Sequence, residues 1–125
     1  MPTRNKTAGD KWELDCMHKI EHIPFGEKAS VVTARNESRT ADATGKDLCN
    51  TGNYNFQCKT GERLTNYDHQ IRIKMPQDGK INVVLQRKTE KSKGGKFMEK
   101  GQYAALPMDH FIELLDFFLT YKDRV

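Results

Sequence analysis

No run of this chain approaches the roughly 20 consecutive apolar residues that a membrane-spanning helix requires. The opening MPTRNKTAGDK likewise lacks the apolar region of a secretory signal. Cysteine is scarce: Cys16, Cys49 and Cys58 are odd in number and widely spaced. That pattern excludes a zinc knuckle and a disulfide framework, and fits small apolar core residues in a reducing compartment, which points to a cytoplasm. An acidic excess is also missing. Twenty-one Lys and Arg against 17 Asp and Glu leave a formal charge of +4, compatible with a polyanionic partner without requiring one. Repeats and low-complexity tracts are absent, and 125 residues suffice for one domain with a real core. Four histidines have no metal-site partners; His18 and His22 stand four apart, but face away from the apolar stripe of their helix.

What is present reads as alternating helix and strand. Residues 1–8 look like a flexible basic tail, followed by a single domain over 9–125. A helix is predicted over 10–22, stopped by Pro24 and Gly26 in HIPFG. The β-branched KASVVTAR predicts a strand over 28–35, and 36–45 is a polar loop. GKDLCNTGNYNFQCKTG, residues 45–61, has the pattern of two short strands around a tight turn. Residues 62–76 are ambiguous, with a short helix over 67–74 ended by Pro76. KINVVLQR (80–87) is a strand, 88–101 a basic glycine-containing excursion, QYAALP (102–107) a short strand, and 108–122 a helix. The expected class is α/β, a mixed central β-sheet flanked by helices.

The hairpin raises a chemical question. Side chains alternate along a strand, so Tyr54, Phe56 and Cys58 share one face, while Asn55, Gln57 and Lys59 share the other. A two-residue turn would set Asp47 against Phe56. A three-residue turn over 51–53 sets it against Gln57, the register that keeps a carboxylate off the apolar face. Asp47, Gln57 and Lys59 then form one polar cluster, which a solvated face with a cross-strand ion pair would also explain. On the first helix, Trp12, Ile23, Cys16, Ile20 and Met17 occupy an arc of roughly 140°, and Glu13 lies inside it. A carboxylate there needs a cation, a donor or solvent at a frayed turn. A divalent ion shared with Asp47 would meet that need. Two carboxylates and an amide oxygen are hard ligands of the kind magnesium takes, and a nearby lysine can steady phosphate charge.

These pieces resemble a PD-(D/E)XK nuclease: Glu13 in GDKWE, Asp47 in GKDL, and Gln57 with Lys59 in FQCK. The element order over nearly the whole chain is similar to that of small archaeal-type and phage Holliday junction resolvases. Gln-x-Lys in place of Glu-x-Lys resembles the Mrr-type nucleases. The resemblance implies a restriction-endonuclease-like core and a magnesium-dependent endonuclease, with manganese as a possible substitute. It implies that Glu13, Asp47, Gln57 and the backbone carbonyl of Cys58 hold the metal while Lys59 orients or activates water. It also implies a prokaryotic or phage-infected cell as the setting. Asp42, in the preceding loop, is the competing acid. Gln57 gives up one negative charge, which leaves an inactive DNA-binding module as an alternative beside a restriction or repair nuclease cutting duplex.

Two surfaces extend this expectation. Arg35, Ser38 and Arg39 precede the acid, and Lys88, Lys91, Lys93 and Lys96 stand in the glycine-containing excursion, where Gly94 and Gly95 would let backbone approach phosphate. Such contacts are charge-driven and carry no base code, which suits DNA recognised by shape. In the last helix, Phe111, Ile112, Leu114, Leu115, Phe117, Phe118, Leu119 and Tyr121 spread over roughly 220° of the wheel, about twice what one sheet face needs. The excess predicts a homodimer interface, and two active sites suit a branched junction with two strands to cut.

Overall fold

The computed structural model describes residues 4–34 and 45–122. Trp12, Cys16, Met17 and Ile20 recur at steps of three and four, and they roll one apolar stripe along α1 (Arg4–Glu21). The helix begins six residues before the expected start, so residues 4–8, read above as tail, stand within it. No proline interrupts this stretch, and Gly9 weakens a helix by only about 1 kcal/mol. Trp12 is buried and its indole N–H donates to the carbonyl of Leu85 at 2.9 Å. An indole buried in this way is worth about 3–5 kcal/mol against alanine. Ile23 leaves the stripe because the helix stops at Glu21, and it is half exposed.

Pro24 ends α1 but also starts a new helix. Its fixed φ and missing N–H suit a first helical turn, and α2 (Pro24–Ala29) follows directly. Ser30 caps it in the left-handed region at φ 55°, its N–H donating to the carbonyl of Gly26. The strand expected over 28–35 therefore shrinks to β1 (Val32–Thr33). Gly26 is buried where α2 crosses the end of α1, and a Cβ there would collide with the Ile20 carbonyl.

Among the described residues the strands form two sheets. β1 pairs antiparallel with β2 (Leu48–Cys49), and β3 (Tyr54–Gly61), β4 (Ile81–Lys91) and β5 (Phe97–Ala105) lie in that order. β3 and β4 are parallel; β4 and β5 are antiparallel. The chain is thus α/β with a mixed sheet flanked by helices, as expected. The basic excursion is mostly ribbon, because β4 runs on to Lys91 and β5 begins at Phe97. Its turn is closed by Ser92 N–H donating to Lys96 O at 2.7 Å, with Gly95 at φ 84°. Gly95 therefore serves the turn.

The two faces of the large sheet are covered differently. α1 packs on Phe56, Cys58 and Leu85, joined in the core by Val31, Leu48 and Ala29. The other face lies under the crossover from β3 to β4, which holds α3 (Tyr67–His69) and a π-helical turn (Gln70–Lys74). Asn55, expected on a polar face with Gln57 and Lys59, is fully buried here with Val84, Gln86 and Met75. Its amide N–H groups donate to Asp78 Oδ1 and Asn82 Oδ1 at 3.1 and 2.8 Å. Asn82 donates in turn to the carbonyls of Ile71 and Pro76, and Gln86 Oε1 accepts from Thr65 N–H. A non-helical covering segment has main-chain groups to satisfy, and the buried amides satisfy them.

α4 (Met108–Lys122) forms where the pattern predicts it but covers nothing of its own domain. Its large apolar side chains are exposed from 39% at Leu115 to 71% at Met108. Its root is fixed by Tyr54 Oη, 2.6 Å from His110 Nε2, with the rings meeting edge to face. Among the described residues no helix is long and apolar enough to cross a membrane.

Candidate functional site

The expected hairpin is not a continuous two-stranded ladder. β2 pairs with β1, and Asp47 stitches the segment to β3. Its N–H donates to Phe56 O, its carbonyl accepts from Ala34 N–H, and its Oδ2 accepts from Cys58 N–H, each at 2.7 Å. The side chain thus takes a β3 amide that a strand neighbour would otherwise satisfy. Asn50, at φ 65°, turns the chain into the loop, which Tyr54 N–H closes on Thr51 O. The main-chain bond to Phe56 O sets Asp47 at the level of Phe56, one residue from the expected place opposite Gln57, so the three-residue register is not the one observed.

Glu13 stands on α1, which packs on β3. Cys58 records this: contact with Cys16, burial, and the negative charges of Asp47 and Glu13, in that order, push its thiol far above the ordinary range. Two carboxylates from distant parts of the sequence therefore act on one buried thiol. All three cysteines are buried and free, in keeping with the role of small core residues.

Gln57 and Lys59 project to the opposite face from Phe56 and Cys58, as strand alternation requires. Both are half-buried, and neither side chain has a hydrogen-bond or ion-pair partner among the described residues. Asn55, on the same face, is drawn into the amide network instead.

The donor set decides what such an edge can hold. Among the described residues no three His, Cys, Asp or Glu side chains converge on a metal position. A zinc-type cage of soft and nitrogen ligands does not fit. The hard-oxygen set expected for magnesium is split across β3: Glu13 and Asp47 act on Cys58 on the α1 side, whereas the Gln57 amide projects to the other face. His18 lies 3.7 Å from Glu21, and His22 is exposed.

Arg35, Ser38, Arg39 and the competing Asp42 lie outside the described residues. Lys91 and Lys93 are exposed on the β4–β5 ribbon. Lys88 is otherwise engaged: its Nζ donates to Glu62 O at 2.8 Å and pairs with Glu90 at 3.5 Å. Lys96 lines a groove of about 820 Å³ with Thr60, Glu62, Arg63, Arg87 and Phe97. Sequence patterning missed Arg63 and Arg87, because the crossover and the β4–β5 ribbon bring them together only in space. A second, apolar groove of about 460 Å³ lies at the root of α4, lined by Ile20, Ile23, Phe25, Tyr54 and Phe56.

Comparison with protein-family models, with curated proteins and with solved structures returns no match.

Proposed function

We propose that this chain is a magnesium-dependent DNA endonuclease with a restriction-endonuclease-like core, acting on branched DNA as a homodimer. The observation that carries this reading is Asp47, whose carboxylate sits on the β3 amide of Cys58, a residue whose thiol also feels the charge of Glu13. The Gln-x-Lys pair of the same strand flanks it. A bound magnesium ion supplies a Lewis acid and a water acidified enough to attack phosphorus.

The chain's own groups do the rest. Asp47 is held by main-chain bonds on both sides, so its carboxylate is fixed before any ligand arrives. Glu13 is fixed by the packing of Trp12 and Cys16 on either side of it. Lys59 brings a cation that has no carboxylate partner among the described residues, the state that suits a group meeting phosphate or orienting an attacking water. Gln57 offers a neutral oxygen, which lowers the negative charge of the site and weakens its hold on the ion relative to glutamate. The exposed apolar helix α4 supports the second part of the reading, a twofold dimer with two such sites.

The test uses a four-way junction and a linear duplex with magnesium or manganese. Paired nicks confined to the junction are expected. Equal cutting of both substrates would favour a restriction or repair nuclease, and tight binding without cutting an inactive binding module. Asp47→Asn keeps an oxygen for the Cys58 amide but removes the charge, so cleavage should fall at least about 100-fold while the thermal midpoint barely moves. Lys59→Ala should behave likewise, with junction affinity retained. Full activity in either variant would remove the site assignment.

A further inference from the structure

The groove at the end of β3 is separate from the Asp47 edge and has a chemistry of its own. Its cations come from three places: Arg63 from the segment after β3, Arg87 from β4, and Lys96 from the β4–β5 turn. Glu62 is the carboxylate lining it. The loop carrying Glu62 and Arg63 is held in place by Lys88 Nζ on the Glu62 carbonyl. Arg87 Nε is buried and lies 3.2 Å from Glu99 Oε1, but without the alignment of a hydrogen bond, so its N–H is unsatisfied. That Nε is sealed from solvent and Glu99 shares the charge, so an anion in the groove would meet the exposed part of the same guanidinium.

The spacing says what kind of anion. Phe97 pairs with Lys91, four residues along β4 from Arg87, and Lys96 stands one residue beyond. At about 3.3 Å per residue, the roots of Arg87 and Lys96 are roughly 16 Å apart. That is too far for one phosphate ion, but it matches four to five nucleotides at about 3.4 Å each. Thr60 adds a hydroxyl, and Phe97 sets an aromatic ring at the same groove.

We infer that this groove seats the phosphodiester backbone of one nucleic-acid strand, with Arg63, Arg87 and Lys96 contacting successive phosphates. The inference rests on the nuclease reading for its ligand and adds the path by which substrate leaves the cutting edge. Arg87 is the fixed contact; Arg63 and Lys96, both exposed, are the adjustable ones.

Binding is measured by fluorescence anisotropy of a labelled four-way junction in EDTA, so that no cutting enters the readout. In the full chain, Arg63→Gln with Lys96→Gln should weaken binding at least about tenfold. It should also reduce the slope of log affinity against log salt by about 1.8, from about 0.9 per lost phosphate contact. Lys122→Gln, on α4, removes one charge elsewhere and should leave that slope unchanged. Arg87→Lys keeps the charge but loses the fixed fork, and should weaken binding as a third, independent variant. An unchanged slope in the double variant, or an equal loss in Lys122→Gln, would overturn the proposal. So would displacement of the junction by a mononucleotide at micromolar concentration, which would make the groove a small-ligand site. Wild-type binding with no cleavage in magnesium would instead sink the nuclease reading and leave the groove standing.

Discussion

The Cys58 thiol is a residue whose surroundings do the same work in three ways. Contact with Cys16, burial and two nearby carboxylates all favour its neutral form, so its proton is held more tightly in the folded chain than in the unfolded one. The sign of the pH effect follows. An unfolded thiol loses its proton near pH 8.5, whereas the folded one keeps it, so this contribution is complete below about pH 8.5 and declines as pH rises further. Urea midpoints measured from pH 7 to 10 should fall on the alkaline side, and Cys58→Ala, though less stable throughout, should show a flatter fall. An equal alkaline slope in both proteins would mean that the Cys58 thiol is not held neutral by its surroundings. At this scale the sequence was legible wherever a residue's role depended on its own neighbours along the chain. Turn length set Asp47 opposite Gln57, but its N–H bond to Phe56 O puts it one residue away, because a one-residue change in the turn slides the whole register. Asn55 was misplaced because strand alternation tells which face a side chain takes and not what lies over that face.

At the scale of elements, periodicity found the stripe of α1 and the whole of α4, the longest apolar patterns in the chain. It overextended the strand at 28–35 because β-branched Val31, Val32 and Thr33 carry strand propensity regardless of what precedes them. Pro24 at a helix start and Ser30 in the left-handed region then shorten the strand to two residues. The basic run 88–101 looked irregular because its lysines and glutamates alternate on a two-stranded ribbon whose faces are largely exposed, leaving little apolar signal. The contact of α2 with α1 rests on Gly26, where no side chain fits against the Ile20 carbonyl. Gly26→Ala should destabilise the fold by about 3 kcal/mol, the upper end of overpacking, because the obstacle is main chain and cannot rotate away. Chemical denaturation checks this; a loss under about 0.5 kcal/mol would show that α2 can shift without cost.

The whole molecule is unfinished at one end. A 15-residue helix is marginal alone in water, and this one touches its domain through His110 and Tyr54 at its root. Its four aromatic rings are about half exposed, and at roughly 150–250 Å² per ring they leave on the order of 400 Å² uncovered. Adding the four leucine and isoleucine side chains brings one copy near the about 800 Å² per partner of stable interfaces. Sedimentation should therefore find a dimer at micromolar concentration. Phe117→Glu with Leu119→Glu should give a monomer that keeps its far-UV helix signal from α1, and a wild-type monomer would refute the assembly. The dry amides under the crossover carry a different consequence. Sliding β4 by two residues against β3 returns every side chain to its own side of the sheet, so the aliphatic pattern tolerates the error. Asn55, Asn82 and Gln86 do not, since their partners exist at one alignment and any other strands polar groups away from water. Fidelity of strand pairing in this chain is enforced by its hydrophilic interior.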